Sequence, residues 1–196
     1  MSEKKGRQLR LEDARETFGH LMEHLGLDEA SDPHLGRTPE RVAALWAELF
    51  GGLREPTPEM SVFECEYGSQ EPVVIAGLPL YSMCAHHFLP FFGEVDIAYI
   101  PGARLGGVGS FSRVVAHFAR RPQVQERLVE QVADHIERAL EPKGVLVRVS
   151  ARHLCMEMRG EKVNGRLVNT AARGILKDLQ HRSEVFDLIK SAQRSR

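Results

Sequence analysis

The chain has 196 residues, of which 42% are hydrophobic and 27% are charged, so its composition is that of a folded globular protein and not of a disordered one. Its 26 Lys and Arg residues stand against 27 Asp and Glu residues, which gives a net charge of -1. This balance argues against a dedicated nucleic-acid-binding protein, which carries a clear basic excess. It leaves room for a local group of arginines that binds a small anion.

The sequence predicts neither a membrane span nor a secretion signal. No apolar run approaches the ~20 residues needed to cross a bilayer, and the basic amino terminus has no apolar stretch after it. Cys65, Cys84 and Cys155 are an odd number of cysteines in a chain large enough to fold without disulfides. These features favour a cytoplasmic protein whose cysteines are reduced thiols or metal ligands.

Two amphipathic helices are predicted at the amino end. Apolar side chains recur every three or four residues over 11–25 and again over 38–49, and Pro39 suits the first turn of the second helix. These helices make up a predicted helical region at residues 1–58, ahead of a predicted catalytic domain at residues 59–196.

The rest of the chain alternates between strand-like and helix-like periods. In chain order we predict strands at 61–67, 73–78 and 91–100, helices at 111–119 and 124–140, strands at 145–149, 153–159 and 167–171, and a helix at 183–192. No crossover helix separates the strands in the middle of the chain. The order therefore predicts an α+β fold with an antiparallel sheet.

The densest chemical signal is the run Cys84-Ala85-His86-His87. A Cys-x-x-His spacing lets a thiolate and an imidazole approach one metal ion from a bent segment. Because an extended strand would direct Cys84 and His87 to opposite faces, the chain is expected to turn here. On this motif alone, a buried thiol beside two hydrogen-bonded histidines stays an equal alternative.

A second polar row follows at His153, Cys155, Glu157 and Arg159. On a strand these four side chains share one face. If this face is buried, packing alone does not explain a row of polar side chains. If the face is open to water, the row is an ordinary solvated edge of the sheet.

Combined, the two segments offer two thiols and three imidazoles. Three protein ligands with a water molecule are typical of a catalytic zinc site, and Cys84, His87 and Cys155 would supply those three. His86 and His153 would then be available for proton transfer near neutral pH. The residues alone predict a zinc-dependent hydrolase.

The chain also resembles the GTP cyclohydrolase I family over nearly its whole length. The likeness is carried by five blocks in order, RTPERV at 37–42, SMCAHHFLPFFG at 82–93, AYIP at 98–101, FARRPQVQERL at 118–128 and HLCMEMRG at 153–160. Several blocks are rich in catalytic residue types, which makes the match specific.

This resemblance implies a tunnelling fold, in which N-terminal helices precede an antiparallel four-stranded sheet with two helices on one face. It implies a homo-oligomer, a decamer of two pentameric rings, with active sites between subunits. The implied reaction converts GTP and water into formate and 7,8-dihydroneopterin triphosphate, the first step of pterin and tetrahydrofolate biosynthesis. The expected partners are GTP and further copies of the chain, with no nucleic acid and no membrane.

The resemblance also implies roles for single residues. Cys84, His87 and Cys155 would hold Zn²⁺, which would lower the pKa of a bound water for attack on C8 of the purine. His86 and His153 would move protons during ring opening and the later ribose rearrangement.

For the substrate, the resemblance implies that Glu126 binds the guanine edge with help from Gln125. Arg113 and Arg159, together with Arg41 from a neighbouring subunit, would bind the triphosphate, since forked guanidinium donors suit phosphate oxygens. Without the resemblance, Glu126 and each of these arginines would be interpreted as ordinary solvated charges.

The sequence departs from the family pattern at three places. Gly109 and Ser110 stand where the family usually has Ser-Lys, so a cation near the phosphates is missing unless Arg104 or another cation compensates. Ala85 replaces the usual Glu of the Cys-Glu-His-His motif. The segment at 165–170, where a Ser/Thr-rich strand is expected, has the sequence Gly-Arg-Leu-Val-Asn-Thr.

Two alternatives to a GTP cyclohydrolase therefore stay open. One is a divergent paralogue that acts on another purine nucleotide with fewer phosphates, which Gly109 and Ser110 motivate. The other is an inactive tunnelling-fold protein that binds zinc structurally or serves as a partner of another protein.

Overall fold

A computed structural model describes residues 10–28, 30, 32–66 and 71–194. The basic amino terminus up to residue 9, where no signal peptide is predicted, lies outside this part of the chain, as does Tyr67 at the end of a predicted strand. The chain divides into two compact units, Met1–Glu55 and Pro56–Arg196. No helix in the described part is both long enough and apolar enough to cross a membrane.

The described residues form six α-helices and seven β-strands. The helices are α1 Leu11–His24, α2 Thr38–Leu49, α3 Val108–Ala119, α4 Gln125–Leu140, α5 Leu154–Glu157 and α6 Leu179–Arg194. The strands are β1 Val62–Glu64, β2 Val73–Cys84, β3 Pro90–Ile100, β4 Arg104–Gly106, β5 Pro122–Gln123, β6 Gly144–His153 and β7 Leu167–Gly174. The α+β class and all five long predicted helices are confirmed.

In the first unit, α1 and α2 pack against each other through aromatic side chains. The rings of Phe18 and Trp46 meet edge to face with centroids 5.9 Å apart, and Trp46 also contacts Phe50. Met22 and Ala43 are buried at this contact face. Phe18 and Trp46 belong to the stripes predicted from residue spacing, whereas Leu11, Leu21, Leu25 and Leu45 of those stripes are exposed. The predicted stripes are therefore only partly buried in this helix pair.

The second unit contains a five-stranded sheet in the order β5-β2-β3-β6-β7. The four long strands pair antiparallel, and β5 adds a two-residue parallel pairing to the end of β2. The sheet therefore has one strand more than the four that were expected. Sequence periodicity does not detect it, because two residues are too few to alternate.

Helices cover both faces of the sheet. On one face, α3 and α4 bury apolar side chains against β2, β3, β6 and β7. On the other face, Val185 and Ile189 of α6 pack on Ala98 and Leu146. The expected pair of helices on one face is present, and α6 adds a helix on the opposite face.

A β-bulge lets β2 run to twice its predicted length. The register with β3 shifts between Ile75 and Leu78, and Gly77 adopts a positive φ of 68° that suits glycine. Beyond the bulge, Pro79 is tolerated because β2 there pairs with β3 alone, β5 joining only at Met83 and Cys84. Gly and Pro interrupt the alternation, so the sequence predicts only residues 73–78.

The bulge is held by a buried carboxylate. Asp96 is fully buried; it accepts a hydrogen bond from the Gly77 N–H at 2.8 Å and forms an ion pair with Arg148 at 2.6 Å. The side-chain amide of Gln193 on α6 donates to the same carboxylate at 3.1 Å. One carboxylate therefore joins the bulge, β6 and the last helix, and its charge is compensated inside the fold.

A candidate metal centre and its surroundings

Cys84 and the two histidines after it lie on a tight turn between β2 and β3. The Cys84 N–H donates to the Leu89 carbonyl and the Phe88 N–H donates to the Cys84 carbonyl, both at 2.9 Å. Phe88 adopts a left-handed φ of 52°. Cys84 is buried, whereas His86 and His87 are exposed. The predicted turn is confirmed, and it directs the thiol inward and keeps the imidazoles at the surface.

Cys155 lies on a single helical turn and not on a strand. The prediction of a strand at 153–159 is wrong, because β6 ends at His153 and α5 begins at the next residue. His153 pairs with Phe91 on β3, and Pro90 is the last residue of β3 in that direction. Since proline has no N–H to donate, the ladder cannot continue past His153 on that side.

The polar row predicted on one strand face is therefore absent. Glu157 instead pairs with Arg152, with Arg152 Nε donating to Oε1 at 3.0 Å. This ion pair lowers the pKa of Glu157. Arg159 follows the helical turn and is exposed. The turn separates these side chains and leaves Cys155 directed towards Cys84.

The structure brings together the three predicted metal ligands. One donor atom from each of Cys84, His87 and Cys155 lies within 4.8 Å of the other two. Burial and the neighbouring Cys84 thiol raise the pKa of Cys155, while the charge of Arg159 opposes this. Two thiols held this close would repel as thiolates, and a divalent cation removes that cost. Two sulfurs and one imidazole are a donor set that suits Zn²⁺.

His86 lies next to this donor group, with its Nδ1 at 3.7 Å from the Cys84 sulfur. Its ring contacts that of His87 edge to face at 6.2 Å. Both rings are exposed, so His86 can exchange protons with solvent while it stays close to the thiols.

His153 is a buried histidine with a fixed ring. It is 8% exposed and stacks on Phe91 with centroids 4.6 Å apart and planes within 3°. Its Nε2 lies 2.9 Å from Gln125 Oε1. Burial lowers the pKa of His153, and the charges of Glu126 and Glu157 oppose that shift without reversing it. The ring is therefore neutral at neutral pH.

Glu126 and Gln125 occupy the first turn of α4 but face different surroundings. Glu126 is exposed, off the apolar stripe as predicted, and near enough to His153 to act on it electrostatically. Gln125 is 1% exposed, and its amide hydrogen-bonds to His153 and to Asn169. At this exposure the Gln125 side chain offers little surface for a direct guanine contact.

The three predicted phosphate ligands are exposed arginines. Arg113 on α3 donates to Ser110 Oγ at 3.1 Å. Arg159 lies close enough to Cys155 for its charge to oppose the rise in the pKa of that thiol. Arg41 lies on α2, in the first compact unit.

Ser110, which stands where the family usually has a lysine, faces inward. It is 1% exposed, and its Oγ accepts a hydrogen bond from the Ser61 N–H at 2.8 Å. Arg104, the expected compensating cation, pairs with Glu141 at 3.0 Å. Ser110 therefore orients Arg113 and supplies no charge of its own.

Three residues that shape the site have no signal in the sequence. The Gln123 carbonyl accepts from the Ala85 N–H at 2.8 Å and so anchors the Cys84 turn to the start of α4. Phe91 provides the platform for His153, and Asn169 holds the far end of the Gln125 amide. These contacts join segments far apart in sequence, and local patterns carry no information on them.

Cys84, His87 and Cys155 form one group of three metal donors, and His86 and His153 lie beside it. This is the class of site that metal-dependent hydrolases use. The sequence profile of the GTP cyclohydrolase I family matches residues 14–190. The chain belongs to the GTP cyclohydrolase I family.

Similar curated proteins agree with this assignment. The chain is 48% identical over 168 residues to a GTP cyclohydrolase 1 from Aquifex aeolicus, an alignment covering 84% of this chain and 90% of the relative. It is 42% identical over 189 residues to one from Bacillus cytotoxicus, covering 94% and 98%. A crystal structure of an apo archaeosine synthase QueF-like protein aligns at a TM-score of 0.38 and 16% identity, over 61% of this chain and 97% of that one. That likeness is too weak to define the fold.

Proposed function

We propose that this chain is a zinc-dependent GTP cyclohydrolase I, which converts GTP and water into formate and 7,8-dihydroneopterin triphosphate. The observation that carries the proposal is the approach of Cys84, His87 and Cys155 to within 4.8 Å in a chain of this family. These residues come from two segments about seventy positions apart, and the fold brings them together at the ends of β2 and β6.

We propose that Cys84, His87 and Cys155 hold Zn²⁺ as three protein ligands. The metal would supply Lewis-acid chemistry, lowering the pKa of a water molecule so that hydroxide forms near neutral pH. The closeness of the buried Cys84 thiol to the Cys155 thiol supports a ligand role for both, because a divalent cation offsets the repulsion of two neighbouring thiolates.

His86 and His153 are assigned to proton transfer. The exposed ring of His86 can exchange protons with water while it lies 3.7 Å from the Cys84 sulfur. The buried ring of His153 has a lowered pKa, so it is neutral at neutral pH and available to accept a proton. The two histidines thus suit different steps.

Glu126 is assigned to the guanine edge. A carboxylate accepts from N1–H and the 2-amino group of guanine together, whereas adenine lacks this pair of donors. The exposure of Glu126 on the first turn of α4 leaves its oxygens accessible.

The triphosphate is assigned to Arg113, Arg159 and, from a neighbouring subunit, Arg41. All three side chains are exposed. Guanidinium groups bind phosphate oxygens through two parallel hydrogen bonds.

We further propose the tunnelling fold and a decamer of two pentameric rings in the cytoplasm. The antiparallel order of the four long strands, with α3 and α4 on one face, supports the fold. Three free cysteines are in keeping with a reducing compartment. Native mass spectrometry tests the assembly, for which ten times the mass of one chain is expected; a monomer would contradict it.

A second candidate function is hydrolysis of a purine nucleotide with fewer phosphates. It is favoured by Ser110, which is buried and uncharged where a phosphate-facing lysine was expected. Comparing the kcat/KM values for GTP, GDP and GMP decides between the two: a preference for GTP supports the first proposal, and a preference for GMP supports the second.

The deciding experiment incubates zinc-loaded protein anaerobically with GTP and measures formate together with neopterin fluorescence after oxidation. Equal amounts of both products are expected. Formate without neopterin would show ring opening without the ribose rearrangement. If neither product forms while zinc stays bound, the proposal is overturned and an inactive zinc-binding partner becomes the better interpretation.

A further inference from the structure

The Gln125 side chain is buried at the start of α4 and engaged at both ends of its amide. Its Nε2 lies 3.0 Å from the Leu167 carbonyl, 2.9 Å from Asn169 Oδ1 and 3.3 Å from the Val149 carbonyl. Its Oε1 lies 2.9 Å from His153 Nε2. A side chain that is 1% exposed and bonded on both sides has one orientation.

That orientation follows from the chemistry of the neighbours. The Val149 and Leu167 carbonyls are backbone acceptors, and they have no hydrogen to give. If the amide were reversed, its oxygen would face these two oxygens without a donor between them, which is costly at a buried site. The Gln125 nitrogen therefore faces β6 and β7, and its oxygen faces His153.

An amide oxygen can only accept a hydrogen bond. His153 Nε2, 2.9 Å from that oxygen, must therefore carry a hydrogen. A neutral imidazole has a hydrogen on one nitrogen and a lone pair on the other, so the lone pair of neutral His153 is at Nδ1.

The ring is also held against rotation. Stacking on Phe91, with planes within 3°, and burial of His153 to 8% exposure disfavour a flip that would place Cε1 where Nε2 now lies. A flipped ring would present a carbon to Gln125 and leave its amide oxygen unpaired.

We propose that Gln125 is a positioning residue that fixes His153 in the tautomer with hydrogen on Nε2 and the lone pair on Nδ1, which leaves Nδ1 as the acceptor available to the substrate. The proton-transfer role of His153 rests on the proposed function. The assignment of its tautomer rests on the hydrogen-bond geometry alone. It assigns Gln125 a role through His153, where the family resemblance implies a contact with the guanine base.

The test combines a spectroscopic and a kinetic measurement. Solid-state ¹⁵N NMR of zinc-loaded, histidine-labelled protein at about pH 8, where imidazoles are neutral, identifies the nitrogen that carries the hydrogen. The His153 signals are assigned by comparison with H153N. We expect Nε2–H for His153 in the unmodified protein and a mixture of tautomers in Gln125→Met, which keeps the side-chain length and removes the hydrogen bonds.

In steady-state kinetics, Gln125→Met is expected to lower kcat about 10- to 100-fold, as changes to outer-shell partners typically do. The KM for GTP and the zinc content should stay unchanged. Asn169→Ala is the matched control, because it removes a partner of the same amide and leaves the Gln125–His153 hydrogen bond in place. It should keep the Nε2–H tautomer and most of kcat.

Three results would overturn the inference: an Nδ1–H tautomer in the unmodified protein, an unaltered tautomer in Gln125→Met, or a raised KM with unchanged kcat in that variant. The last result would assign Gln125 to substrate binding. If the protein does not hydrolyse GTP at all, the proposed function fails, while the NMR result still decides whether Gln125 fixes the tautomer.

Discussion

The thiols and the arginines of the proposed site are built on different principles. Cys84 is buried on a turn closed by two backbone hydrogen bonds, and Cys155 follows the end of a fully paired strand. Arg113 on α3 and Arg159, just after α5, are both exposed to solvent. A metal requires donors placed within tenths of an ångström, which a rigid backbone supplies, whereas a flexible triphosphate accepts donors that move with it.

The difference extends to the neighbouring side chains. His153 is held by Phe91 and Gln125, so the metal end of the site has a second layer of fixed contacts. Arg113 is exposed and is supported by a hydrogen bond to Ser110. Changes at the metal end should therefore be felt at the chemical step, and changes at the arginines mainly in substrate binding.

The largest effect is expected from Cys155→Ser, which should break the metal end. Activity should fall by more than about 100-fold, because changes to outer-shell partners alone cost about 10- to 100-fold, and bound zinc should be lost in parallel. Metal analysis and the formate assay measure the two quantities. Cys65→Ser is the control, since Cys65 lies outside the donor group. This variant should retain both its zinc and its activity. An active variant of Cys155 without metal would refute the assignment.

A smaller effect is expected from Arg113→Ala. Losing hydrogen bonds to a charged group costs about 1.5–3 kcal/mol, so the KM for GTP should rise about 10- to 100-fold while kcat changes little. Arg104→Ala is the matched control, because Arg104 is engaged with Glu141 and should leave KM unchanged. A rise in KM for Arg104→Ala instead would show that Arg104 replaces the missing lysine.

The smallest effect concerns His135, a histidine on α4 outside the proposed site. Burial and the charge of Arg138 lower its pKa, and a hydrogen bond with the Pro58 backbone opposes the shift. Its folded pKa is below the unfolded value of about 6.5, so the unfolded chain binds more protons in acid. The stability that this histidine contributes is present above pH 6.5 and is lost as the pH falls below it, by at most about 1.4 kcal/mol per pH unit.

Urea unfolding of the unmodified protein and His135→Asn at several pH values measures this contribution. Asparagine retains a donor for the Pro58 carbonyl and does not titrate, so the variant should lose less stability between pH 7 and 5. His34→Gln, at an exposed position, should behave like the unmodified protein. Identical pH profiles for all three proteins would contradict the prediction.

Much of the fold could be predicted because the periods of the long elements are strong. The apolar spacing of α4 and the alternation of β3 were sufficient to locate both. The bulge at Gly77 was not predictable, because its stabilising partners, Asp96 and Gln193, lie far along the chain. The short α5 looked like a strand, since an alternating polar row fits both a strand and a polar helical turn.

The metal ligands could be predicted because cysteine and histidine are rare and their chemistry is narrow. The residues that hold these ligands in place could not be predicted, since they are common residue types at ordinary spacings. Gln123, Phe91 and Asn169 acquire their roles only when β5, β3 and β7 come next to the two cysteine segments. The family resemblance implies a substrate contact for Gln125, whereas its hydrogen bond to His153 depends on the packing of β6 beside α4.

The buried carboxylate of Asp96 has a consequence for amide hydrogen exchange. It accepts from the Gly77 N–H and from Gln193, which lies in the last turn of α6. If α6 leaves the sheet, Asp96 and Arg148 lose part of their cover, and the Gly77 hydrogen bond is exposed to water. Exchange of this one amide in the middle of the chain therefore reports the docking of the carboxyl-terminal helix.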